Sequence, residues 1–157
     1  MSRGERAKEN FLNGCNCAQA VLLAFEDLID LPRDALLKIS QPFGAGMGRL
    51  RLTCGTVTGM MMALGLVAGT AGTGREAKNR QYAAVQELAR RFREACGSLI
   101  CMELLTGKGI HADTRPAAEE RTAEYYKKRP CPELCRVAAE ILEGYLTERG
   151  VLCAQGK

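Results

Sequence analysis

The sequence predicts an all-α fold: a single-domain bundle of about six to eight helices around a buried, Gly- and Met-rich central helix. Three observations predict it. Apolar residues recur at helical spacing along most of the chain, and no stretch alternates as a half-buried strand does. The 157 residues are 46% hydrophobic, enough for one core that buries roughly two-thirds of the unfolded surface. Between Arg51 and Arg75 there is no charge at all, and a helix apolar all round belongs inside a bundle.

The elements follow in order. A first helix is expected over Arg3 to Leu12, stopped by Asn13-Gly14. Asn16 caps a second, Cys17 to Ile29, with Ala20, Leu23 and Ala24 on one face, and Leu31-Pro32 breaks it. A short helix from Arg33 to Ile39 precedes Gln41-Pro42 and the loop Phe43-Gly44-Ala45-Gly46-Met47-Gly48. Thr53 is expected to cap the central helix, Cys54 to Ala68, which the Gly69 to Gly74 cluster ends. Gly55 and Gly59, and again Gly65 and Gly69, stand four apart and would admit close neighbours. Arg75 to Ala95 forms the longest helix, burying Ala84, Leu88 and Phe92. Ser98 is placed to cap a short successor running to Leu105. Thr106 to Ala112 reads as loop, Ala117 to Tyr126 as a weak helix, and Pro132 to Thr147 as the last helix, its early proline favourable. Residues 150 to 157 read as a frayed tail of the one domain, 1–157.

Composition narrows the function. The net charge is +4 with both signs interleaved, and there is no Trp and only four Phe and four Tyr, so the basic, aromatic-laced stripe of a nucleic-acid binder is missing. The apolar part of the central segment, Val57 to Ala68, is shorter than the roughly 20 residues that span a bilayer. Met1 to Asn13 carries five charged side chains and no signal-like apolar run, so a cytoplasmic address is expected. In a reducing compartment, eight cysteines point to metal binding or thiol chemistry rather than a disulfide framework.

Set beside the helix starts, the cysteines form a pattern. Cys17 follows its cap, Cys54 follows Thr53, Cys101 lies in the first turn after Ser98, and Cys131 immediately precedes Pro132. Free N–H groups and the positive dipole end of a helix favour a thiolate, the form that binds metal and attacks disulfides. Cys15 with Cys17 forms Cys-x-Cys, and Cys131 with Cys135 stands at i, i+4; either could add a ligand or a resolving thiol. Cys96 and Cys153 read as structural or incidental. No Cys-x-x-Cys-His haem site is present.

Asn16-Cys17-Ala18-Gln19-Ala20-Val21, the Phe43 to Gly48 loop, Cys54-Gly55-Thr56-Val57-Thr58-Gly59, Gly97-Ser98 with Cys101, Leu104-Leu105-Thr106-Gly107, and Cys131 together resemble the C_GCAxxG_C_C family of redox-active proteins, over about Glu9 to Leu146. The family is marked by four cysteines, which correspond here to Cys17, Cys54, Cys101 and Cys131. Thr56 departs from the family's usual Ala after Cys-Gly. The family is similar to the non-haem core of split-Soret cytochromes, and that resemblance implies an iron–sulfur centre on such cysteines.

Four thiolates from helix ends suit a [2Fe–2S] cluster or one tetrahedral iron or zinc. Gly44, Gly46, Gly48 and Gly55 would let backbone pass close to a cofactor and aim N–H groups at its sulfurs; the glycine loop has neither dinucleotide nor Walker spacing. His111 reads as a surface residue, Met60 to Met62 as core filling, and Tyr125 to Arg129 as a solvated face or a dock for an acidic redox partner. The functional expectation is electron transfer through an iron–sulfur cluster, with a redox protein or small electron donor as partner and a homodimer admissible. The alternatives are a thiol–disulfide oxidoreductase in which two of the four cysteines cycle between dithiol and disulfide and a non-catalytic module with structural zinc.

Overall fold

A computed structural model describes residues 1–153. It bears out the all-α expectation: eight helices, and among the described residues no β structure beyond one isolated bridge, Thr53 to Ile100. Helix α1, Arg3–Leu12, starts in a capping box in which the Ser2 hydroxyl accepts the Glu5 N–H and the Glu5 carboxylate accepts the Ser2 N–H. It stops at Asn13 and Gly14, whose φ of +104° suits glycine. Helix α2 starts in a second capping box, Asn16 with Gln19.

Helix α2 is Cys17–Leu23, shorter than expected, and gives way to a single 3-10 turn, Glu26–Leu28. The reason is tertiary. The Arg3 guanidinium donates to the Ala24 carbonyl at 2.7 Å and grips both oxygens of Asp27 at 2.7 and 3.0 Å, taking the place of the next helical N–H donors.

Helix α3 is Arg33–Ser40, and α4, Gly55–Ala68, is the central helix. Its first half is buried, Val57 and Met60 included, but Leu66 is 43% exposed, so the helix emerges from the core at its C-terminal end. Gly59 is packed so tightly on α2 that a Cβ there would lie 2.5 Å from the Ala18 carbonyl oxygen. Gly65, by contrast, meets nothing closer than 3.8 Å, so only the first glycine pair serves helix contact.

The rest follows as α5, Arg75–Cys96; α6, Cys101–Thr106; α7, Ala123–Lys128; and α8, Cys131–Glu148. Helix α7 begins later than the sequence suggested because Thr122, not a residue near Ala117, supplies the cap. Beyond α8 the chain folds back: the Val151 and Leu152 N–H groups reach the Leu146 carbonyl at 2.9 and 3.3 Å, so the expected fraying does not hold there. Residues 154–157 lie outside the described residues.

One core unites these elements. Helices α1 and α8 lie along each other, and α2 is wedged between α1, α4 and α8. Phe11, Leu22, Leu23, Met60, Leu88, Phe92, Leu142 and Leu146 are fully buried, each contributing about 1.5–3 kcal/mol of apolar transfer. Ala84, Leu88 and Phe92 form the buried stripe of α5 as expected. The starts of α2, α4, α6 and α8 meet at one end of this core.

Candidate thiol centre

The starts are more uniform than the sequence suggested. Cys17, Cys101 and Cys131 are each the first residue of their helix, and Cys54 is the N-cap residue of α4. Thr53 does not cap; it sits in the bridge to Ile100. Ser98 does not cap either: its hydroxyl accepts the Ile100 N–H and donates to Glu103, and Ile100 is the residue before α6.

The bridge joins two of the starts. The Cys54 N–H donates to the Leu99 carbonyl at 2.8 Å, and the Cys101 N–H to the Leu52 carbonyl at 2.7 Å. Cys54 and Cys101 are therefore tied backbone to backbone although they are far apart in sequence. Gly55 brings in a third start, since a Cβ there would stand 3.0 Å from the Cys17 Cβ. Asn16 fixes that start to the turn after α3, its amide donating to the Gln41 carbonyl at 2.9 Å.

Cys17 is the hub. The Cys131 and Cys135 thiols beside it lower its pKa, and its charge raises those of Cys54 and Cys101. All five are buried, from 9% exposed at Cys17 to 0% at Cys135. The expected four thus come together, and Cys135 joins them through its i, i+4 relation to Cys131 on α8. Cys15 is half-buried, Cys96 ends α5, and Cys153 is exposed. No described cysteine is in a disulfide.

The five thiols are not equivalent. Donated hydrogen bonds from Cys131 and Cys135 hold the Cys17 thiol well below the usual range, outweighing burial, with help from Arg121 and the Ala45 N–H. Burial, and the neighbouring Cys17 charge, push Cys54 up to about 12 even though Thr56 opposes the shift, its hydroxyl 3.1 Å from the sulfur. Cys131 is raised because it donates to Cys17, and Cys135 because it is buried. Cys101 is raised by burial and drawn back by Arg51. One thiolate is comfortable here, and a second would need a further cation.

The glycine loop wraps this centre in an unexpected way. Ala45, Gly46, Met47, Gly48 and Arg49 all have positive φ, between +54° and +74°. Hydrogen bonds from Leu50 to Met47 and from Leu52 to Gly46, at 3.1 Å each, close the turn. A left-handed run of this length costs about 1–2 kcal/mol at each non-glycine residue. Of the loop's glycines, Gly46 is the one against a cysteine: a Cβ would lie 2.7 Å from the Cys101 Cβ. Gly44 makes room for the Asn16 side chain, Gly48 is 3.7 Å from its nearest neighbour, and the N–H aimed at a sulfur is that of Ala45.

A cleft of about 230 Å³ opens over the centre, lined by Cys17, Cys101 and Cys131 together with Arg49, Arg51, Arg121 and Arg129. Sequence reading missed these arginines. Arg51 is 3% exposed; its Nε donates to the Asp113 carbonyl at 3.0 Å and its Nη1 to the Cys101 sulfur at 3.7 Å. Tyr125 and Arg129, expected on a solvated face, are partly buried in the cleft wall, with the Arg129 guanidinium 4.8 Å over the Tyr125 ring. His111 is exposed and Met60 is core, as expected.

The donor set is all sulfur, without carboxylate or imidazole, and a Cβ at Gly46 would press on it; both suit a sulfur-ligated metal group. Among the described residues, no three or more His, Cys, Asp or Glu side chains are already arranged to hold a single metal ion, and no helix is long and apolar enough to cross a membrane. A family model described as "Putative redox-active protein (C_GCAxxG_C_C)" matches residues 15–145. No curated protein and no solved structure matches the chain.

Proposed function

Because the chain belongs to the C_GCAxxG_C_C family, we propose that it transfers electrons through an iron–sulfur cluster of the [2Fe–2S] type held by Cys17, Cys54, Cys101 and Cys131. The observation that carries this reading is the arrival of four thiols, each at the very start of a different helix, in one buried space. Packing alone has no need of that placement, whereas cluster ligands must be thiolates and helix starts favour them. The raised Cys54, Cys101 and Cys131 thiols describe ligands that ionise only when iron supplies the missing positive charge. A two-iron core divides its thiolates between two metals, so it does not require the four to surround one point.

When bound, such a group supplies one-electron transfer. The chain's own residues do the rest. The Ala45 N–H and the Arg51 guanidinium stabilise negative charge on sulfur, which raises a reduction potential, and burial keeps water from the ligands.

A second reading is favoured by the grouping of the buried Cys131 and Cys135 thiols about Cys17, whose pKa they lower. Attack of the Cys17 thiolate on a partner's disulfide would give a mixed disulfide. Attack by Cys131 or Cys135 would then form an internal disulfide and release the partner as a dithiol, two electrons passing in all. Structural zinc is the third reading, which the same all-sulfur donor set would serve.

Metal and sulfide analysis of protein prepared without oxygen separates these readings. The expected result is brown protein with iron and acid-labile sulfide in equal amounts, lost in Cys54→Ser. Colourless protein with a two-electron thiol couple would overturn the cluster in favour of the dithiol.

A further inference from the structure

We propose that the cleft over the thiols is a binding site for a small oxyanion, a carboxylate or phosphate group, anchored by Arg51 and Arg121. Guanidiniums keep their charge at every physiological pH, so each buried one calls for a counter-charge. Arg49 has Asp113 at 3.0 Å and Arg129 has Glu119. Among the described residues, Arg51 and Arg121 form no ion pair. Arg121 donates to the Phe11 and Cys15 carbonyls, both at a long 3.3 Å, and lies over the Phe11, Tyr125 and Tyr126 rings at 4.3, 5.0 and 5.8 Å.

Arg51 is the more telling of the two. Its Nη2 is shut away from water and has no hydrogen-bond partner at all, an arrangement that costs about 1–3 kcal/mol or more for a charged donor. Because Arg51 is nearly fully buried yet lines the cleft, it belongs to the floor, beside Cys101. A ligand there would share a space of about 230 Å³ with two guanidiniums that lack a carboxylate partner, room for a small organic acid or an inorganic anion but not for a chain. Arginine's planar fork matches both carboxylate and phosphate.

The proposal concerns the chain with its thiols free of metal, because Cys17, Cys101 and Cys131 line the same cleft.

Calorimetric titration of the full-length, reduced protein with succinate and, separately, inorganic phosphate tests the site without any metal. Saturable binding of at least one probe is expected, and the two arms tell a carboxylate from a phosphate ligand. It should weaken about tenfold in Arg51→Lys or Arg121→Gln, the loss expected for one charge-assisted contact, and be unchanged in Arg136→Gln, which pairs with Glu133 and Glu140 and does not line the cleft. Circular dichroism confirms that each variant is folded; if Arg51→Lys is not, Arg121→Gln alone decides. Absence of saturable binding by both probes, or binding undiminished in every folded cleft variant, would overturn the proposal. Iron and sulfide content are read on separate samples, so the anion site and the cluster can fail independently.

Discussion

Arg3 and Arg51 are two buried guanidiniums at different places in one small fold, 7% and 3% exposed. Each leaves one N–H group without an acceptor. Arg3 nevertheless holds Asp27 with both terminal nitrogens and caps the end of α2, so its charge is neutralised and its work is to shape the backbone. Arg51 has a carbonyl and a thiol but no carboxylate. A buried arginine that is matched to a carboxylate holds a fold together; one that is left over beside sulfurs marks the place where charge is expected to arrive.

The comparison can be broken at either end. The largest expected effect is on stability at the Arg3 end. Arg3→Met leaves the Ala24 carbonyl without its donor and Asp27 without its partner, and should lower unfolding stability by about 2–3 kcal/mol in urea titrations, less than for a fully enclosed pair because Asp27 is half-exposed. At the other end, Arg51→Met removes an unmatched charge and should leave the unfolding free energy within about 1 kcal/mol of wild type. Its mark is chemical: without the guanidinium, burial raises the Cys101 thiol further, so iodoacetamide labelling of Cys101, followed by peptide mass spectrometry, should slow. Equal stability losses in the two variants would erase the distinction.

The smallest effect is in pH dependence. The hydrogen bonds from Arg3 hold the Asp27 carboxyl below its ordinary 3.8. A carboxyl lowered in the folded state adds stability that is present above its unfolded value and is lost as pH falls through the folded one. The stability gap between wild type and Arg3→Met should therefore narrow on acidification below the usual carboxylate range, while the Arg51→Met gap should not follow that curve. Unfolding midpoints measured across the acid range check this.

Much of the fold was legible because its signals are local. Helical spacing, Asn16, Asn13-Gly14 and the apolar stripe of Ala84, Leu88 and Phe92 lie within one turn or two of what they determine. The premature end of α2 was not legible, since the donor that ends it is Arg3, on another helix. Thr53 and Ser98 failed as caps for a similar reason: a cap is predicted from residue type, but here the chain runs as a bridge and the cysteines and Ile100 take the boundary positions. The four helix-start cysteines were found by their placement. Cys135 was visible only as a spacing, and nothing in the run from Ala118 to Arg121 announced that Arg121 would lie against Phe11 and line the same cleft as Cys17. Charges that converge from distant segments leave no periodic trace.

The turn from Ala45 to Arg49 carries a stereochemical consequence. Its backbone follows the path that a mirror-image peptide would take by preference, so at Ala45, Met47 and Arg49 the D-amino acid would be the relaxed enantiomer and the natural one is held against its inclination. No single residue can return to its own preference without dragging its neighbours, because the hydrogen bonds of Leu50 and Leu52 tie the turn into one unit. The N–H of Ala45 and the bare face of Gly46 therefore keep their station beside Cys17 and Cys101 only as long as the whole coil stays wound in the uncommon sense.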